Sequence, residues 1–390
     1  MCSHVEKWEK DDMPKKIMGC KKYRFLPSAE QQKILNEWIG TARYTYNKTI
    51  HKIENEKQKV NFFNLRNNLV PKHKIHDKNK WILNTPKEIR AYSVKEAVTS
   101  FKSAFTNLKN KSINKFKIQF KSKKKLNEEN ITIPKTAIKT LNSGSEIKIY
   151  SRSIHQSIKL KKEKIESIEH DIKLIHLKRC NLWYLCIPIE YKFDELSESQ
   201  GNSKEIVSID PGIKTFLTLY DPKGKVIKIG KDDMKKILAP LYLKIDKLKS
   251  IKSKSNKKKK YNLHTRIHKL IYKFKNYINE IHNKASQYIV SNYKIILIPQ
   301  LSKIKMQGSK NRRNLLSWSH GRFITRLIHC SHKKNCVIKI VTEEYTSKTC
   351  GNCGKINESL KNKDIYKCDN CNLIIDRDTN GARNILLKCL

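Results

Sequence analysis

Two cysteine pairs near the end of the chain constrain its fold most. Cys350-Gly351-Asn352-Cys353 and Cys368-Asp369-Asn370-Cys371 give the pattern C-x2-C-x14-C-x2-C. Each pair makes a turn that aims two thiolates at one point, and two such turns build a tetrahedral four-cysteine site. Four protein ligands leave no open position, so the spacing predicts a structural Zn2+. The chain has eleven cysteines in all, and the others are scattered. That odd total, behind an N-terminus (MCSHVEKWEKDDMPKK) that is no secretory signal, predicts a reducing compartment and no disulfide scaffold.

Charge narrows the partner. Lys and Arg number 83 against 36 acids, a net +47. Self-repulsion on that scale opposes compaction unless a polyanion relieves it, so the expected partner is nucleic acid. An AT-rich codon bias would account for the lysines but not for the scarcity of acids. At 390 residues and 38% hydrophobic, the chain suits two or three globular domains. No run of eighteen apolar residues occurs, which predicts no membrane span.

Periodicity divides the chain. A short strand-like piece near 19–26 precedes Pro27-Ser28, which opens an amphipathic helix with Ile34, Leu35, Trp38 and Ile39 on one stripe. A second helical pattern starts at Pro86, so 28–115 reads as a small helical domain. From 116 to 200, segments such as KFKIQFKSKK, NITIPK and LWYLCIPIEYKF alternate with period two and predict an antiparallel β-barrel. The early strand completes it, with the helical domain inserted. ELSESQGNSKE (195–205) is a polar boundary. Three meandering strands follow, then long basic helices over 231–292, the apolar strand YKIILIP, a helix around SWSHGRFITRLIHCSHKK, the strand VIKIV and a terminal helix. VIKIV reads as a strand buried on both faces. The order is that of an RNase H-type fold, and the fold class is multidomain α+β.

Acids stand where that order brings strand ends together. Asp210 ends IVSI before Pro211-Gly212, and Asp376 and Asp378 precede the terminal helix. Singly, Asp378 would serve to cap that helix and Asp210 to stabilise a turn. Together they suit two divalent metals that activate water at a phosphodiester. Glu343-Glu344 directly follow VIKIV, and successive strand residues face opposite ways, so only one of the pair can join them.

IDPGIKTFLTLYD, TSKTCGNCG and DRDTNGARNIL resemble the RuvC-type nuclease core of the TnpB family of transposon-encoded RNA-guided endonucleases. The resemblance covers the whole chain, and EEYTSKTCG is most similar to Fanzor, the branch of eukaryotes and their large viruses. It implies a wedge barrel (first strand within 1–27, remainder 116–200), a helical recognition domain (28–115), and a RuvC domain (201–345 and 373–390) holding a zinc ribbon (346–372). It also implies two catalytic Mg2+ ions, a guide RNA from the mobile element, a double-stranded DNA target, and a monomeric protein in a ribonucleoprotein. Asp210 matches the first catalytic carboxylate and Asp378 the third, with Asp376 a supporting neighbour. Bacterial members place the second directly after the strand that here ends in Pro299-Gln300, where no carboxylate stands. The Fanzor branch carries it on the strand before TSKTC, which favours Glu343 over Glu344. The implied compartment is a eukaryotic nucleus or a viral replication site, or the cytoplasm of a bacterium.

Other candidates are nucleic-acid contacts: Arg43, Tyr44, Tyr46 and Asn47 in one helix, and Arg322 and Arg326, in line with Trp318 at helical spacing. His264 and His268 lie at i and i+4 without an intervening acid, so a metalloprotease motif is absent. KSKSNKKKK reads as a nuclear localisation signal or a phosphate-binding run. Two rival functions are an inert RNA-guided DNA-binding protein, which Pro299-Gln300 favours, and a zinc-ribbon DNA-binding protein that uses no RNA.

Overall fold

Ser28 starts the first long helix through a capping box: its hydroxyl accepts the Gln31 N–H, and the Gln31 side chain returns to the Ser28 N–H. The computed structural model describes residues 16–124, 127–192, 204–299, 309–342, 344–358 and 364–389. They fall into two compact units, Ile17–Tyr191 and the described residues from Lys192 onward.

In the first unit, β1 (Lys16–Leu26) leads into α1 (Ala29–Glu54), α2 (Phe62–Leu69) and α3 (Lys87–Lys109). Leu35, Trp38 and Ile39 are buried, as their stripe requires. Six strands follow: β2 (Glu128–Ile133), β3 (Ile138–Leu141), β4 (Glu146–Ile149), β5 (Ile158–Leu160), β6 (Ile172–Leu177) and β7 (Leu182–Lys192). The sheet order is β2-β6-β7-β1-β5-β4-β3, so β1 joins the later strands at the sheet centre. Among the described residues the sheet is open, not the closed barrel expected. Its edges β2 and β3 are consecutive in sequence, and Pro134 with a one-turn 3-10 helix (Lys135–Ala137) separates them. Nor is KFKIQFKSKK a strand. Phe116 and Ile118 pack on the helical core, and the Asn47 side chain satisfies both the N–H and the C=O of Lys121. The alternation there marks one face laid on helices, not on a sheet.

The second unit is built on a five-stranded mixed sheet. Its strands are β8 (Lys204–Pro211), β9 (Leu217–Tyr220), β10 (Val226–Ile229), β11 (Tyr293–Pro299) and β12 (Val337–Val341). Their order is β10-β9-β8-β11-β12, antiparallel over the first three and parallel from β8 outward. Between β10 and β11 run a π turn (Met234–Leu238), α4 (Ala239–Ser253) and α5 (Lys257–Asn292); α6 (Ser309–Trp318) and α7 (His320–Lys334) precede β12. A two-stranded ribbon, β13 (Ile365–Lys367) and β14 (Ile374–Asp376), leads into α8 (Arg377–Leu387). Val207, Ile209, Ile296 and Ile298 face α5 and α7, whereas Ile206, Leu297 and Val341 share the opposite face with Ile385 and Leu386 of α8.

Two expectations are corrected here. VIKIV is the edge strand, with Val337 and Ile340 exposed, because no strand among the described residues pairs with its outer side. The helix around SWSHGRFITRL is two helices. Ser319 adopts a left-handed backbone (φ +54°), so Trp318 is not in line with Arg322 and Arg326. No helix among the described residues is long and apolar enough to cross a membrane.

Candidate active site

Strand alternation puts Asp210 on the α8 face of the sheet, with Ile206 and Ser208. Thr218 lies opposite it on β9. The Ser208 hydroxyl donates to the Ala382 carbonyl of α8 at 2.7 Å. Beside that bond the Asp210 carboxylate lies against Gly381, where a β-carbon would come within 2.8 Å of Oδ2. Only glycine leaves room for strand and helix to approach this closely.

The cap of α8 is Asp376, not Asp378. Its Oδ1 accepts the Thr379 N–H at 3.0 Å, and its Oδ2 pairs with Lys228 Nζ of β10 at 2.6 Å. Burial pushes this carboxyl up, but Lys228 and Thr379 together outweigh it and hold the pKa below its ordinary value. Asp378, released from capping, is half-buried in the first turn and hydrogen-bonds the Thr215 side chain. Burial first, then the charge of Asp376, raises its pKa. Lys228 and Arg377 act the other way on Asp378 without cancelling the rise. Both Asp210 and Asp378 offer carboxylate oxygens, the donor type that suits a hard divalent cation.

The strand ends beside Asp210 are level. Leu297 pairs with Ser208 and Pro299 with Val341. Pro299 offers no side-chain ligand, and Gln300 lies outside the described residues. So does Glu343. Glu344 is exposed.

The four cysteines meet. Their sulfurs all lie within 4.8 Å of one another. Cys350 and Cys371 are 3.5 Å apart, and Cys353 and Cys368 are 3.6 Å apart. Sulfurs at the corners of a tetrahedron around Zn2+ stand about 3.8 Å apart, given Zn–S near 2.3 Å, so the cluster fits that ion. Burial pushes the Cys350 thiol up to about 11, while the Asn370 side chain and the Lys355 N–H draw Cys353 down to about 6. Two residues that the sequence reading missed tie the cluster to α8. Asn380 accepts the Gly351 N–H at 3.0 Å and donates to Thr349 O at 2.8 Å. Asn384 donates to Thr346 O and Thr349 O, each at 2.7 Å. Their i, i+4 spacing was the available signal.

The proposed nucleic-acid contacts fare unevenly. Tyr46 is core, with its hydroxyl on Ser100. Asn47 holds Lys121, Arg43 pairs with buried Glu129, and the Tyr44 ring meets Trp81 edge-on. Arg322 is exposed and reaches Asn279, and Arg326 is half-buried. His264 and His268 place ring nitrogens 2.8 Å apart.

Three family models match: "Helix-turn-helix domain" of the OrfB/IS605 type over residues 20–59, "Probable transposase" over 187–313, and "Cas12f1-like, TNB domain" over 320–385. The chain is 29% identical to "Putative transposase A625R" of Paramecium bursaria Chlorella virus 1, covering 99% of this chain and 90% of the relative. It is 27% identical to "TnpB-like protein L79" of Acanthamoeba polyphaga mimivirus, covering 98% and 75%. The chain is thus similar over nearly its whole length to TnpB-like proteins of large viruses. It is also 23% identical to a "Putative RNA-guided DNA endonuclease" of Streptomyces pristinaespiralis, over 96% of itself and 90% of that relative. In it the segment matched as helix-turn-helix is β1 followed by the single helix α1.

Proposed function

We propose that this chain is an RNA-guided DNA endonuclease in which the five-stranded sheet and α8 form a RuvC-type, RNase H-like nuclease domain. The observation that carries the reading is the lodging of Asp210 against Gly381 on the helix that also bears Asp378. The sheet order supports it, as does the printed name of the Streptomyces relative. Glu343 is the proposed second carboxylate. Val341, two residues earlier, packs on the α8 side with Asp210, and Glu344 is exposed.

When bound, two Mg2+ ions would activate water and stabilise the leaving oxygen. The chain's own residues set the stage. Asp210 and Asp378 supply oxygens from a strand end and a helix start. Thr215 orients Asp378, and the Lys228–Asp376 pair fixes the first turn of α8. The four thiolates would hold Zn2+ in a closed structural site, and the +47 charge would hold guide RNA and double-stranded DNA through their phosphates. Sequence choice would then lie with base pairing, and the first unit would read a short flanking motif.

The test is cleavage of a matched plasmid by protein co-expressed with its own downstream noncoding RNA, with and without Mg2+. Magnesium-dependent cutting is expected. Protein that stays RNA-free, or RNA-loaded protein that leaves the plasmid intact, overturns the reading. A second reading, an inert RNA-guided DNA-binding protein, is favoured by Pro299 at the end of β11. Binding of the matched DNA without cutting would select it.

A further inference from the structure

The loop after Asp210 closes tightly. Gly212 N–H donates to Phe216 O at 3.1 Å, and a β-carbon on Gly212 would come within 2.6 Å of Thr215 O. This loop starts at one carboxylate and ends at the threonine that orients the other. Two of its carbonyls are held from outside. Trp318 Nε1 donates to Ile213 O at 2.9 Å, and His320 Nε2 meets Gly212 O at 3.2 Å.

Both holding residues are buried, with Trp318 at 0% exposure. A carbonyl only accepts, so His320 must carry its proton on Nε2. Burial keeps the ring neutral, with its pKa lowered to about 4. Phe216 packs among the rings of Trp318, His320, His282 and Phe323, and His282 Nε2 bonds Trp318 O at 2.8 Å. In an unbroken helix, residues two apart face different ways. The left-handed Ser319 is what lets Trp318 and His320 grip one loop from the end of α6 and the start of α7.

We propose that Trp318 and His320 are positioning residues whose paired N–H bonds preset the Gly212–Ile213 loop, so that Asp210 and Asp378 bind a divalent cation without first reorganising the backbone. This rests on the reading of those two aspartates as cation ligands. The two helices that form the grip thereby become part of the cation site without touching the ion.

The experiment measures Mn2+ binding to the full-length protein in chelator-free buffer, by loss of the free-ion EPR signal. Asp210→Ala defines the site-specific part. Trp318→Phe keeps a ring but loses the donor, and His320→Leu removes the other donor. Each is expected to weaken site-specific binding roughly tenfold, the scale of one lost hydrogen bond. His320→Gln, whose amide still donates, should stay within about twofold of wild type. If Trp318→Phe and His320→Leu bind like wild type, or if His320→Gln falls as far as His320→Leu, the inference fails. Should His320→Leu not fold, Trp318→Phe against wild type decides. A wild type without Asp210-dependent binding overturns the ligand assignment itself, and the inference with it.

Discussion

Asp210 and Gly381 occupy one another's space: a β-carbon at position 381 would lie 2.8 Å from Oδ2 of Asp210. The neighbour is a carboxylate at the end of a central strand, so relief must come from moving the carboxylate or the helix. Gly381→Ala should therefore cut cleavage by about a hundredfold, the cost of misplacing a reacting group by about 1 Å. Circular dichroism should show an unchanged fold, because alanine is the better helix former. Wild-type cleavage by Gly381→Ala would show that the contact does not matter.

Asp210→Ala and Asp378→Ala should each abolish cleavage and leave binding of RNA and DNA in place. Removing a ligand breaks the two-metal arrangement, whereas binding is spread over many lysine and arginine contacts to phosphate. Filter binding should show the same steep fall in affinity with added salt in wild type and both variants.

Glu343→Gln should lower cleavage by orders of magnitude while Glu344→Gln stays active, since a neutral amide is a poor Mg2+ ligand. The reverse pattern moves the assignment to Glu344. Two active variants would leave the nuclease without a relocated carboxylate.

Cys350→Ser with Cys353→Ser should release zinc and loosen the second unit, because a structural metal contributes folding free energy. Asn384→Ala separates the ribbon from its metal. It leaves two carbonyls, Thr346 O and Thr349 O, without the Asn384 donor. A loss of about 1–3 kcal/mol in unfolding free energy is expected, with zinc content by atomic emission unchanged.

Acid should destabilise the second unit through His282 and His320. Burial lowers both pKa values to about 4, so between about 6.5 and about 4 the unfolded chain takes up protons that the folded chain refuses. Stability falls as pH falls through that window. The groups facing them are each other and, around His282, Arg322 and Arg326, which reinforce the depression. Denaturant titrations from pH 7 to pH 4 should show the fall, and His320→Gln should shallow it.

Much of this was legible in the chain. The cysteine spacing gave the cluster, because two short turns leave thiolates little choice of direction. Ser28 and Pro86 marked their helices, since capping is local chemistry. What escaped depends on distant partners. VIKIV is apolar enough for a central strand, and only the sheet order reveals it at the edge. KFKIQFKSKK alternates like a strand, but its partner is Asn47, far away in sequence. Asp376 and Asp378 both suit a helix start, and the choice between them waits on Lys228 of β10 and Thr215 of the loop between β8 and β9, both far away in sequence.

The exposed edge at β12 bears on colloidal behaviour. A last strand with apolar Val337 and Ile340 at its surface is a template on which a second copy could zip backbone to backbone. Lys339, in the middle of that strand, is the sort of side chain that spoils such stacking. The larger guard is the charge of +47 carried by every copy. Concentrated salt screens that repulsion over a few ångströms, so the free protein should keep best in dilute buffer. In cells, the polyanion that quenches the charge must also be the object that keeps the edges of two copies apart.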